Sequence, residues 1–227
     1  MRRLLIALVV LATWCVVAAC ASDEPEVGEP VRTTTQTPLG PLGIDVASED
    51  LVELKAGAGM LDCPTSPERD PDEPAIPASV RLPSVTLPCL GGGRDVRLDQ
   101  LEGPMLINLW ASDCAPCRDE LPVLEQVHEL GRDQLTILGI DYEDEKPFNA
   151  LQLAAESGVT YASVADLHGV VATELQVVAL PQTVFVDGSG AVVAIHRGEI
   201  RSYAQAAGLV LEHLGLRLPA ANDDEKS

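Results

Sequence analysis

Two cysteines, Cys114 and Cys117, stand two residues apart in Trp110-Ala111-Ser112-Asp113-Cys114-Ala115-Pro116-Cys117. This spacing lets one thiolate attack a mixed disulfide formed by the other, the chemistry of thiol–disulfide exchange. The pair follows an apolar run, Met105-Leu106-Ile107-Asn108-Leu109, and precedes Leu121, Leu124, Val127 and Leu130 at three- and four-residue steps. That order predicts a buried strand, a turn carrying the cysteines, and a helix. A helix start beside Cys114 brings free backbone N–H groups and the positive dipole end to the sulfur, which favours its thiolate. Pro122 is expected to kink this helix.

The elements needed to hold such a turn are legible around it. Residues 135–140 read as a buried strand, 148–156 as a helix, 161–164 as a short strand and 170–175 as a helix. Thr183-Val184-Phe185-Val186 reads as a strand, Asp187-Gly188-Ser189-Gly190 as a hairpin turn, and 191–195 as its partner strand. A helix over 201–214 closes the pattern. Upstream, Val80-Arg81-Leu82, Val85-Thr86-Leu87 and Val96-Arg97-Leu98 read as short strands. Gly91-Gly92-Gly93 reads as a turn; no Gly-Lys-Ser/Thr follows it to make a phosphate loop. A helix over 48–58, capped by Ser48 with Glu49 and Asp50 in its first turn, carries a narrow stripe of Leu51, Leu54 and Ala58. Strands alternating with helices predict an α/β fold, a sheet covered by helices.

The chain has 227 residues and a formal net charge of -20, from 15 basic and 35 acidic side chains. Phosphates would be repelled, and an aromatic content of 3% leaves little to stack on bases, so nucleic acid is excluded as a partner. Arg2 and Arg3 precede an apolar stretch over 4–19, shorter than the roughly 20 residues of a membrane span and suited to a signal segment. It ends in Val17-Ala18-Ala19-Cys20, which is similar to a bacterial lipobox with Cys20 as the lipidated residue. An uncleaved anchor or ordinary secretory cleavage are the other readings. All three put the folded part outside the cytoplasm, where disulfides persist. The expected division is therefore 1–20 lipoprotein signal peptide, 21–78 Pro-rich linker with a short helix, 79–218 main domain, and 219–227 acidic tail.

Six cysteines are present. Cys15 leaves with the signal and Cys20 carries lipid, which leaves Cys63, Cys89, Cys114 and Cys117. Four cysteines allow three connectivities. If Cys114 and Cys117 pair, Cys63 and Cys89 remain for each other. That bridge would be a structural staple worth roughly 3–4 kcal/mol of unfolded-state entropy, with a redox role the alternative.

Three stretches carry a family resemblance: Leu109 through Pro122 with its C-x-P-C-x-x-E-x-P spacing, Leu180-Pro181-Gln182-Thr183-Val184-Phe185-Val186-Asp187, and the turn from Asp187 to Gly198. Residues 79–216 resemble the TlpA/ResA-like branch of the thioredoxin superfamily. The resemblance implies a thioredoxin-like three-layer sandwich with a central mixed β-sheet and an N-terminal β-hairpin extension. It implies Cys114 as the exposed nucleophile, Cys117 as the buried resolving thiol, and a cis Pro181 facing both. Glu120 would affect cysteine protonation. Asp113, Ala115, Pro116 and Leu180 would face the substrate. One position departs from the family: Asp113 stands where most relatives carry Trp. A carboxylate there disfavours the Cys114 thiolate and makes the couple more reducing.

The resemblance further implies a membrane-tethered protein-disulfide reductase, fed by a membrane donor of thiol–disulfide type and acting on disulfides of exported proteins such as apocytochrome c. No cofactor and no metal are expected. An oxidant or isomerase for exported proteins is the alternative. A copper-binding assembly factor fits less well, because its cysteines are usually three residues apart and a distant histidine is used. His128, His168, His196 and His213 show no metal-binding spacing. A peroxidase lacks its usual pattern before a single cysteine.

Overall fold

The computed structural model describes residues 43–65, 77 and 80–221. The expected signal segment, Cys20, most of the expected linker and the end of the expected acidic tail lie outside the described residues.

The centre is β3 (Met105–Trp110), buried at every position. It pairs in parallel with β4 (Thr136–Tyr142), which pairs in parallel with β5 (Ser163–Asp166). On its other side β3 pairs antiparallel with β6 (Gln182–Val186), and β6 with β7 (Val192–Arg197). The order β5-β4-β3-β6-β7 makes a five-stranded mixed sheet. Strands with side chains buried on both faces read as continuous apolar runs, which is how β3 and β4 were recognisable.

Helices cover one face. α1 (Glu49–Gly57) packs on α3 (Pro147–Glu156), and α2 (Ala115–Gly131) on α4 (Tyr203–Leu214). Their apolar sides meet Leu106, Trp110, Ile137 and Phe185 in one core. The opposite face is covered by the hairpin β1 (Thr86–Leu87) and β2 (Val96–Arg97), by the 3-10 turn Leu98–Gln100, and by the turns before β6. Leu87, Val96, Leu98, Ile107, Leu138 and Val184 form that second core. Three layers with an N-terminal hairpin result, as expected.

Several local expectations change. The segment 170–175 makes turns, not a helix. The Asp166 carboxylate accepts the N–H groups of Val170 and Val171, and only Leu175 then bonds four residues back, to Val171. So short a segment, rich in β-branched residues, does not pass the nucleation barrier of a helix. Val80-Arg81-Leu82 is no strand; Arg81 makes a single bridge to Ala191. Leu98 opens the 3-10 turn instead of extending β2. Ser48 precedes α1 without a side-chain capping bond. α2 runs through Pro122 to Gly131 without ending.

Trp110 and its neighbours show how the sheet makes room for the redox turn. The indole is fully buried. A methyl at Gly139, on the adjacent strand, would overlap Ser163 Oγ and lie 2.8 Å from Trp110 Nε1. Glycine at that point of β4 is what lets the indole fit against the sheet.

Candidate active site

Sheet topology gathers the site. The pairing Leu109↔Gln182 sets the start of β6 beside the end of β3, and Trp110↔Asp141 sets the end of β4 on its other side. Three segments therefore emerge at one edge: the turn 111–114, the residues before Gln182, and the loop after Tyr142. β3 is also where the connections diverge to both sides of the sheet, the usual place for a site in an open α/β sheet.

Cys114 and Cys117 are disulfide-bonded, with Cα atoms 5.2 Å apart. Cys114 is the N-cap of α2, in extended backbone geometry, and its sulfur accepts the Cys117 N–H at 3.2 Å. Cys114 is partly exposed; Cys117, one turn into the helix, is fully buried. Asp113, Ala115 and Pro116 are exposed around them. Asp113 lies 3.9 Å from Lys146, both side chains largely in water, so this pair contributes little.

The Leu180–Pro181 peptide is cis. Pro181 is buried and its carbonyl accepts the Gly198 N–H, while Leu180 is partly exposed. A groove of about 370 Å³ runs beside it, lined by Asp113, Tyr142, Glu143, Val177, Val178 and Leu180, among others. Val178 is 75% exposed, an apolar side chain offered to solvent at the groove.

Glu120 is fully buried within α2. Its Oε2 accepts from Asn108 Nδ2 at 2.9 Å and its Oε1 from the Ile200 N–H at 2.8 Å. Burial pushes its carboxyl up from the usual 4.5 to about 7, against the opposing pull of those two donors; Glu199 adds a smaller push upward. A carboxyl with that affinity can hold or release a proton near neutrality.

The AhpC/TSA family model matches residues 79–195, more than half of the chain. The chain belongs to the AhpC/TSA family. Within it, the chain is 35% identical over 137 residues to the thiol:disulfide interchange protein DsbE homolog of Paracoccus denitrificans, covering 58% of this chain and 73% of that protein. It is 32% identical over 139 residues to the thiol:disulfide interchange protein CycY of Rhizobium leguminosarum, covering 61% and 68%. Among solved structures, MTB dsbF superposes with a TM-score of 0.53 at 25% identity, over 61% of this chain and 98% of that one. A secreted thiol-disulfide isomerase from Corynebacterium glutamicum gives 0.52 at 24% identity, over 67% and 99%, which bears on the fold alone. This family member is a thiol–disulfide oxidoreductase of thioredoxin-like fold, in the TlpA/ResA-like group.

The family fold brings together Asp113, Cys114, Ala115, Pro116, Cys117, Leu180 and Pro181 at one sheet edge, with Glu120 beneath. Cys63 and Cys89 are bonded to each other away from this edge, at β5, where Cys89 bridges Val164. Sequence reasoning did not single out Asn108, which stood as one polar residue in an apolar strand; that interruption was the available signal. It also missed Asp141 and Asp144. Asp141 is fully buried, and burial followed by the nearby Asp144 holds its carboxyl well above the usual range. Asp144 accepts the Ser112 N–H at 2.7 Å and the Lys146 N–H at 2.9 Å, tying the redox turn to the loop after β4. Among the described residues, no group of three His, Cys, Asp or Glu side chains is placed to hold a metal.

Proposed function

We propose that this oxidoreductase reduces disulfides of exported proteins, with Cys114 attacking and Cys117 resolving. The observation that carries the reading is the contrast between a partly exposed Cys114, bonded to the Cys117 N–H, and a fully buried Cys117 on the same helix as buried Glu120. In the reduced protein the Cys114 thiolate attacks one sulfur of a client disulfide. The client's other sulfur leaves as a thiolate. Glu120, one turn past Cys117, takes the Cys117 proton, directly or through water. The Cys117 sulfur then attacks Cys114, the client's second thiol is released, and the Cys114–Cys117 disulfide forms. Two electrons pass to the client.

The client's chain lies along Leu180 and the groove beside cis Pro181, where exposed Val178 gives apolar contact and Asp113 and Glu143 favour basic residues. The apolar stretch over 4–19 supports an extracytoplasmic role, and the lipobox-like Cys20 supports a lipid anchor to the membrane. Apocytochrome c, whose paired thiols must be reduced before haem attachment, is the client proposed, and a membrane thiol–disulfide donor returns electrons to Cys114–Cys117.

The deciding experiment is the reduction potential of the Cys114–Cys117 pair, measured by thiol trapping in dithiothreitol or glutathione buffers. A value near or below about −270 mV supports the reductant. A value towards about −120 mV overturns it in favour of oxidative folding.

A further inference from the structure

Lys55, on α1, is 5% exposed, although lysine normally keeps its ammonium in water. Its Nζ lies 3.3 Å from Cys89 Sγ, donates to the Gly92 carbonyl at 2.8 Å, and is 3.6 Å from Asp62, whose carboxylate is exposed. Desolvation lowers its affinity for a proton, with Asp62 opposing. The Gly91-Gly92-Gly93 turn packs against the Lys55 side chain and gives its ammonium the Gly92 carbonyl. All three glycines have positive φ, and side chains there would lie 2.8 Å from Lys55 Cβ at Gly91 and 3.4 Å from Cys89 Sγ at Gly93. A neutral disulfide gains little from a buried cation at its sulfur. A thiolate at the same place gains a charge-assisted bond.

We infer that Cys63–Cys89 is a second redox couple of this chain, with Lys55 holding Cys89 as the leaving thiolate. Both cysteines are buried, Cys63 at 6% and Cys89 at 2% exposure, so the segment after α1 must open before Cys63, the less buried of the two, is attacked. The reductant is a protein dithiol. Its thiolate attacks Cys63 Sγ, the Cys63–Cys89 bond breaks, and Cys89 departs as a thiolate paired with the Lys55 ammonium. The second thiol of the reductant attacks the mixed disulfide and becomes oxidised, and Cys63 leaves and takes up a proton. Two electrons enter the chain. Reduction cuts the covalent tie between the segment after α1 and the segment that bridges β5. This couple is independent of how Cys114–Cys117 is used.

The test is thiol trapping of the full chain in glutathione and dithiothreitol buffers, with peptide mapping to follow Cys63 and Cys89 separately from Cys114 and Cys117. The expected result is a reversible transition of Cys63–Cys89 in the folded protein. In Lys55→Met that transition should become at least tenfold harder in equilibrium constant, about 30 mV for two electrons. Lys55→Arg should retain most of the wild-type midpoint. If Lys55→Met does not fold, Asp62→Asn replaces it: removing the exposed competitor should make reduction easier. A pair that stays oxidised until the protein unfolds overturns the inference, as does a midpoint that none of these variants moves.

Discussion

Asn108, in the middle of the central strand, donates a 2.9 Å hydrogen bond to the buried carboxyl of Glu120 on α2. The bond crosses from sheet to helix inside the core, one turn below Cys117. It holds a proton-accepting group inside the packed core, and it is the structural root of the pH behaviour expected of this protein.

Glu120 binds its proton more tightly in the folded chain, at about 7, than its usual 4.5. The folded state therefore holds more protons between these values, and stability falls as pH rises through that window. The upper limit of this loss is about 3 kcal/mol. Glu120→Gln should remove the slope and stabilise the protein at pH 8, because Asn108 Oδ1, buried without a partner, can turn to accept the new amide. Urea denaturation from pH 4 to 8 checks this. The same variant should slow client reduction most at neutral pH, seen in the pH profile of the exchange rate.

Asn108→Asp would place two carboxyls in one buried site, where both cannot ionise. A loss of roughly 3 kcal/mol at pH 7 is expected, shrinking at acid pH as both become neutral. Denaturant midpoints at pH 5 and pH 8 give the comparison; equal losses at both would refute it.

Gly139→Ala should destabilise by about 1–3 kcal/mol through overpacking against Ser163 and Trp110. The chain has two tryptophans, Trp14 and Trp110, so Trp110 is the fluorophore of a chain expressed from residue 21 onward. Its emission should shift together with the denaturation midpoint.

Asp144→Ala removes the acceptor of the Ser112 and Lys146 N–H groups. A cost of about 1–3 kcal/mol follows from the stranded donors. The redox turn should loosen, with faster amide exchange at Ser112. Asp141→Asn acts in the opposite sense. It removes a buried carboxyl held above its usual range by burial and by Asp144, so stability at pH 8 should rise.

Asp113→Asn should shift the Cys114–Cys117 potential only slightly upward, since the side chain is 77% exposed and screened. Thiol trapping in glutathione buffers measures it, and a large shift would show that Asp113 acts on Cys114 through a drier path than the structure contains.

The chemistry and the layering were legible in short stretches of the chain. A two-residue spacing between cysteines needs no tertiary information to be read as an exchange motif. The apolar runs of β3 and β4 and the periodicity of α2 announced a buried sheet with a helix upon it. Where local competition decides, that reading failed: Asp166 captured the N–H groups that a helix over 170–175 would have used, and Leu98 turned away from β2. Which polar groups meet inside was set by packing. Asn108 and Glu120, Asp141 and Asp144, and Lys55 with Cys89 come together through strand register and helix docking, and desolvation, which changes their chemistry, is a property of the packed core that no local stretch of sequence carries.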